Sequence, residues 1–177
     1  MRVIAGTLGG RLFAAPKGHV THPMSDKVRG ALFSMLGELD ELTVLDAFSG
    51  SGALAFEAVS RGAEAVTAIE QDRAAQAVIT ENIKKLDVAK SVKLIKSNVS
   101  AWDSTQPGVT YDIVLCDPPY DDVQLPTLEK MTKHTKVDGI FVLSWPGNEE
   151  PPEFLGLVRI VQKSYGDAQL AFYQKIL

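Results

Sequence analysis

Asp117-Pro118-Pro119-Tyr120 carries the sharpest chemical signal in the chain. Two prolines after an apolar run remove two backbone donors and stiffen the turn. The Pro118 carbonyl is then free to face a cleft. Asp117 adds a second acceptor, and Tyr120 a flat ring for stacking. Two acceptors beside a platform suit a planar amine, such as the exocyclic NH₂ of a nucleobase. A rigid proline turn without a ligand is the plain alternative.

A second set surrounds Asp46-Ala47-Phe48-Ser49-Gly50-Ser51-Gly52. Gly50 and Gly52 lack a Cβ, so a ligand can approach the backbone and the turn can take strained angles. Gly50-x-Gly52-x-x-Ala55 also fits the dinucleotide fingerprint. Glu70 follows Gly52 at close to the spacing of a ribose-binding acid, and a carboxylate accepts from both ribose hydroxyls. Asn98 can donate to and accept from an adenine edge, although a turn or cap role fits it equally well. Gly50, Gly52, Glu70 and Asn98 are thus cofactor candidates, and Asp46, Phe48 and Ser49 join them through resemblance to a known family. The catalytic candidates are Asp117, Pro118, Pro119 and Tyr120.

The elements that must position these residues alternate regularly. Apolar runs predict strands over 42–47, 65–69, 92–95, 111–116 and 139–144. Helical patterns fill 52–61, 72–86 and 125–134, with Pro126 tolerated in a first turn. Segments 157–163 and 170–174 predict a closing hairpin around Tyr165-Gly166-Asp167. Strand–helix alternation predicts an α/β, Rossmann-like parallel sheet, with antiparallel strands added at one edge by the hairpin. Ligands bind at the carboxyl ends of such strands, where Asp46, Glu70 and Asp117 all fall. Ahead of this body, 2–5 and 10–13 predict a small β-hairpin. Ser25 caps a helix whose stripe is Val28, Ala31, Leu32, Met35 and Leu36. We therefore expect an arm and helix over 1–37, packed on a catalytic domain over 38–177.

The 177 residues suit one domain with a small extension. No apolar run reaches membrane-spanning length and no signal segment is evident, so a soluble cytoplasmic protein is expected. The single cysteine, Cys116, rules out an internal disulfide and reads as a core residue. No metal spacing is present, and no pocket histidine offers the proton transfer a dehydrogenase needs. The first thirty residues hold five cations (Arg2, Arg11, Lys17, Lys27 and Arg29) against one acid, a charge of +4 that leaves −8 on the rest of a chain totalling −4. A basic arm on an acidic body suggests an anionic partner at one end, and an ordinary solvated surface fits the charge equally well. That the partner is RNA, and that His22 joins these five residues as an RNA-binding candidate, is what resemblance to a known family implies.

With these residues in place, the chain resembles class I S-adenosylmethionine-dependent methyltransferases. More narrowly, it resembles the bacterial RsmD-like family that methylates a guanine N2 in small-subunit (16S) ribosomal RNA. The resemblance runs through Arg2–Gly6, Gly9–Leu12, Thr21–Arg29, Leu45–Leu54, Ser60–Ala63, Asp117–Tyr120 and Tyr165–Asp167. It implies a seven-stranded, mostly parallel sheet of order 3-2-1-4-5-7-6, with strand seven antiparallel and helices on both faces. It implies S-adenosylmethionine over Asp46, Phe48, Gly50 and Gly52, ribose on Glu70 and adenine near Asn98. Thr21 to Ser25 would fold over the methionine end. His22 stands where the family usually has Arg, Met24 where it has Thr, Gly30 where it has Glu, and Asn98 where Asp is common. The implied partner is ribosomal RNA or the assembling small subunit, with no membrane and no metal, and a monomer is expected. An adenine-N6 methyltransferase, a non-catalytic nucleotide-binding module and an NAD-dependent enzyme remain as alternatives.

Overall fold

The computed structural model describes residues 1–16 and 24–177. Its centre is one seven-stranded sheet of order β3-β2-β1-β4-β5-β7-β6. β1 (Thr43–Asp46), β2 (Ala65–Glu70), β3 (Val92–Lys96), β4 (Tyr111–Cys116) and β5 (Thr135–Pro146) are mutually parallel. β6 (Leu157–Ser164) and β7 (Ala168–Lys175) form the terminal hairpin, and β7 pairs antiparallel with both β5 and β6. The helices are α1 (Asp26–Leu36), α2 (Ala53–Ser60), α3 (Arg73–Leu86), α4 (Val99–Thr105) and α5 (Leu125–Thr132). Among the described residues, no helix is long and apolar enough to cross a membrane.

Alternate residues of each central strand feed two separate cores. Val44, Val66, Ile113 and Val142 pack with α1, α2 and α3, and Leu45, Ile69, Val114 and Leu143 pack with α4 and α5. Strands covered on both faces must be apolar throughout, which is why these runs stand out in the sequence. Cys116 lies buried in the second core. Burial pushes its thiol well above its ordinary range, with Asp46 and Asp117 adding to the rise.

α2 is buried on nearly every side because the N-terminal arm covers the face that would otherwise meet solvent. Val3 and Phe13 join its core, with the Phe13 and Phe56 rings edge to face at 5.3 Å. The fully buried Glu57 carboxylate accepts from the Ile4 and Ala5 amides (2.8 and 3.1 Å) and from Arg61 Nε (2.8 Å). Thr7 N–H donates to Ser60 O at 2.7 Å. A Cβ on Gly6 would stand 1.8 Å from that same oxygen, so only glycine lets the arm close on α2. Further along, Asn82 of α3 accepts from Ala14 N–H and donates to Ala14 O.

Several expectations change. The expected hairpin over 2–5 and 10–13 is a single antiparallel bridge, Arg2 with Leu12, inside a turn-rich arm held by α2. α4 was not expected. β5 starts four residues earlier than the apolar run, where Thr135 pairs with Tyr111 and the Lys136 side chain donates to both oxygens of Asp112 at 2.9 Å. Arg29 was expected to contact RNA phosphates, and the structure overturns this. Its side chain is fully buried and donates to Met24 O, Arg2 O and Asp26 Oδ1 (3.3, 2.8 and 2.9 Å), with Glu57 3.9 Å from its Nε. A buried guanidinium so enclosed fixes α1 to the arm and cannot reach solvent.

Candidate active site

The parallel register brings the sequence candidates to one edge. Asp46 pairs with Leu115 on β4 and with Ala68 on β2, so its turn and Asp117-Pro118-Pro119-Tyr120 leave adjacent strands at the same end. Ser49 N–H donates to Ile69 O at 2.9 Å, which seats the glycine turn against the end of β2. Ser97 N–H donates to Glu70 O at 3.1 Å, bringing the β3–α4 turn to the same rim.

The glycine turn is built by two specific contacts. Gly52 takes φ +80°, and a Cβ there would meet the Phe56 ring at 2.7 Å, so a side chain would break both the angle and the packing. A Cβ on Gly50, by contrast, would meet nothing within 4 Å, leaving open space over the turn. Gly50 N–H donates to Glu70 Oε2 and Asp72 N–H to Glu70 Oε1, both at 2.7 Å. Each oxygen of that carboxylate keeps a further lone pair for a hydroxyl donor. Asn98 caps α4, its Oδ1 accepting from Ala101 N–H at 2.8 Å, and its exposed amide nitrogen remains as a donor. Phe48 is half-buried against the second core.

Asp46 is the unusual group. It is fully buried, and Ser49 Oγ donates to its Oδ2 at 2.7 Å. Burial lifts its carboxyl from 3.8 to about 7, the Ser49 bond works against the rise, and the charges of Asp117 and Glu70 add to it. Asp117 is lifted to about 6 by burial, with the Ser144 hydroxyl pulling it down. Three acids thus converge on one edge. The Ala55 backbone N–H also pulls Asp46 down, so its carboxylate faces the first turn of α2.

Tyr120 stands 39% exposed, with its hydroxyl 2.7 Å from Ser144 Oγ. Burial, with Asp117 adding, raises its phenol above 10, while the Ser144 bond opposes the shift. Ser144 lies at the end of β5 and is buried. It was missed in the sequence, although a lone hydroxyl closing the apolar run Ile140–Leu143 is a signal of its kind. Pro118 is buried and Pro119 half-buried in the turn between Asp117 and Tyr120.

The other cationic candidates scatter. Arg2 Nε donates to Asp26 at 3.0 Å, and its side chain stays mostly exposed. Arg11 caps α3 through the Lys85 and Leu86 carbonyls (2.7 and 3.0 Å). Lys27 is exposed on α1. Lys17 and His22, like Thr21 and Pro23 of the segment expected over the methionine end, lie outside the described residues.

With the edge assembled, comparison with known proteins becomes decisive. The family described as "Conserved hypothetical protein 95" matches residues 1–174. The chain belongs to this family. The Bacillus subtilis (strain 168) protein YlbH is 31% identical over 182 residues, covering 99% of both chains. Ribosomal RNA small subunit methyltransferase D of Escherichia coli (strain K12) is 36% identical over 121 residues, which span 68% of this chain and 60% of that protein. The solved structure of the Escherichia coli protein yhhF superposes with a TM-score of 0.89 at 28% identity, covering 99% of this chain and 98% of that one. The family is RsmD-like and its members are class I, S-adenosylmethionine-dependent methyltransferases. The edge fits that methyl donor: open space over Gly50 and a carboxylate at Glu70 with free lone pairs.

Proposed function

We propose that the protein transfers a methyl group from S-adenosylmethionine to the exocyclic N2 amine of a guanine in small-subunit ribosomal RNA. The observation that carries this reading is the convergence of Asp46, Glu70 and the Asp117–Tyr120 turn at one strand edge. Family membership supports ribosomal RNA as the substrate class, since the Escherichia coli relative is named for the small subunit. The reading also takes the protein as soluble and cytoplasmic, with the 1–37 arm and helix serving the 38–177 domain.

In this reading the methyl donor supplies an electrophilic carbon on a positively charged sulfur. Glu70 holds its ribose hydroxyls, Asp46 its ammonium, Asn98 its adenine edge, and Phe48, Ser49, Gly50 and Gly52 line its path. Asp117 and the Pro118 carbonyl accept the two N–H bonds of the target amine, and Pro119 keeps the turn stiff. Tyr120 stacks on the base and fixes its plane, held by Ser144. The nitrogen lone pair attacks the methyl carbon as the carbon–sulfur bond breaks, leaving a neutral thioether. The nitrogen, now cationic, loses a proton to Asp117 or to water. Catalysis comes from alignment and from acceptors aimed at the charge growing on nitrogen. A paired guanine must leave its stack to reach this turn.

The test is reaction of small-subunit ribosomal RNA and assembling subunits with labelled donor, followed by digestion to nucleosides. Label in N2-methylguanosine supports the reading. Label in N6-methyladenosine shifts it to the adenine alternative, and donor binding without transfer makes the protein a binding module.

A further inference from the structure

Residues 84–96 hold five lysines (Lys84, Lys85, Lys90, Lys93 and Lys96) against Asp87 alone, a local charge of +4 on a chain whose total is −4. The fold gathers all five, each exposed, along one border of the molecule. Lys84 and Lys85 stand in the last turn of α3, where Lys84 also forms an exposed pair with Glu81 at 3.0 Å that a phosphate would have to exchange. Lys90 follows in the turn. Lys93 and Lys96 lie on β3, which ends the sheet and pairs only with β2. Three residues apart on a strand, they leave on opposite faces, so the charge wraps around the sheet edge. Arg11 adds a sixth cation, because its guanidinium is docked on the Lys85 and Leu86 carbonyls.

Local explanations cover parts of this border. Lysines discourage an edge strand from pairing with another chain, and cations suit a helix C-terminus. Capping of α3 also accounts for the docking of Arg11, but neither explanation covers Lys90. Neither explains the direction of the charge. Lys96 is the register partner of Glu70, so the basic line runs up to the candidate site, where exposed Arg73 opens α3. On the β4 side, Tyr120 is followed by exposed Asp121 and Asp122. Asp72 and Glu81 are the exposed acids near this border besides Asp87, and the cations outnumber them, so a polyanion is favoured on the β3 side over the side that bears Asp121 and Asp122.

We propose that the border formed by Lys84, Lys90, Lys93, Lys96 and Arg11 carries the RNA backbone flanking the target base, so that the strand enters the site from the β3 side. This rests on the reading of RNA as the substrate. It moves the main electrostatic contact from the N-terminal arm to the α3–β3 border.

The test is binding of RNA purified from small ribosomal subunits across a salt series. It compares wild type, the quadruple variant K84Q/K90Q/K93Q/K96Q, and the control K133Q/K163Q, whose lysines are exposed elsewhere. Each lost phosphate contact removes roughly 0.7 to 0.9 from the slope of log affinity against log salt, so the quadruple variant should flatten it by about 3. Its RNA affinity near 0.15 M salt should fall about a hundredfold. Its thermal midpoint and S-adenosylmethionine affinity should match wild type, and the control should track wild type throughout. A quadruple variant with the wild-type slope, or a control that loses as much, overturns the assignment. If wild type itself shows no salt-dependent binding, the RNA reading fails along with it.

Discussion

Glu57 and Asp46 are both carboxylates with no exposure to solvent, and they have opposite surroundings. Glu57, under the arm, receives two backbone amides and Arg61, with Arg29 nearby. Asp46, at the strand edge, has only the Ser49 hydroxyl and the Ala55 amide to lower it, and it faces two other acids. A buried charge with a complete set of donors is a fastening. A buried charge with an incomplete set is a site waiting for its ligand. Under the arm, Glu57 is complete in this sense, although the neighbouring Arg29 Nε is not; at the rim, Asp46 is the incomplete group.

The largest expected effect separates chemistry from binding at the rim. Asp117→Ala should lower methyl transfer by about a hundred- to a thousandfold, since an aligned acceptor is lost from the reacting amine. Its donor affinity should change little, as single-turnover rates and calorimetry will check. Near-normal turnover would remove Asp117 from the mechanism.

The second effect tests the fastening. Glu57→Ala strands Arg61, Arg29 and two arm amides, and breaking a buried pair typically costs about 3–5 kcal/mol. Urea denaturation should show a loss of that size. A loss under about 1 kcal/mol would mean the arm is held mainly by Val3 and Phe13.

A third effect follows from the raised acids. In the fold Asp46 keeps its proton to about 7 and Asp117 to about 6, whereas both lose it near 3.8 when unfolded. Between these values the folded state binds more protons, so stability falls as pH rises from 3.8 to about 7. Asp112 acts in the opposite sense only below 3.8, because bonds from Thr43 and Lys136 outweigh its burial and hold it at about 2. The thermal midpoint without donor should therefore drop between pH 5 and pH 8, and Asp46→Asn should flatten most of that drop. A midpoint that rises over this range would contradict the assignment.

The smallest effect concerns the stacking ring. Tyr120→Phe keeps the ring but removes the bond to Ser144, and a bond of this kind is worth about 0.5–1.5 kcal/mol. Methyl transfer should fall only about two- to tenfold. A collapse to the Asp117→Ala level would assign the hydroxyl a larger role than orientation.

The sequence made the strand ends legible because each central strand is covered on both faces and ends in a polar residue: Asp46, Glu70 or Asp117. Asn98 was readable only as a choice, and it turned out to cap α4, a seven-residue helix whose apolar stripe is just Val99 and Trp102 among serines and threonines. Arg29 was misread because a cation on an amphipathic helix looks solvated until its partners are known. Two of those, Arg2 and Glu57, lie 27 and 28 residues away along the chain. Ser144 was passed over for a related reason. Its meaning depends on Tyr120, which only the β4–β5 pairing brings beside it.

The central claim is most directly tested by titrating S-adenosylmethionine into wild type and Asp46→Asn at pH 6 and pH 8. The account predicts tighter wild-type binding at pH 8, where Asp46 has lost its proton and can receive the ammonium. It predicts binding by Asp46→Asn that is weaker than wild type at pH 8 and much less dependent on pH. Equal affinities of the two proteins at both pH values would contradict it.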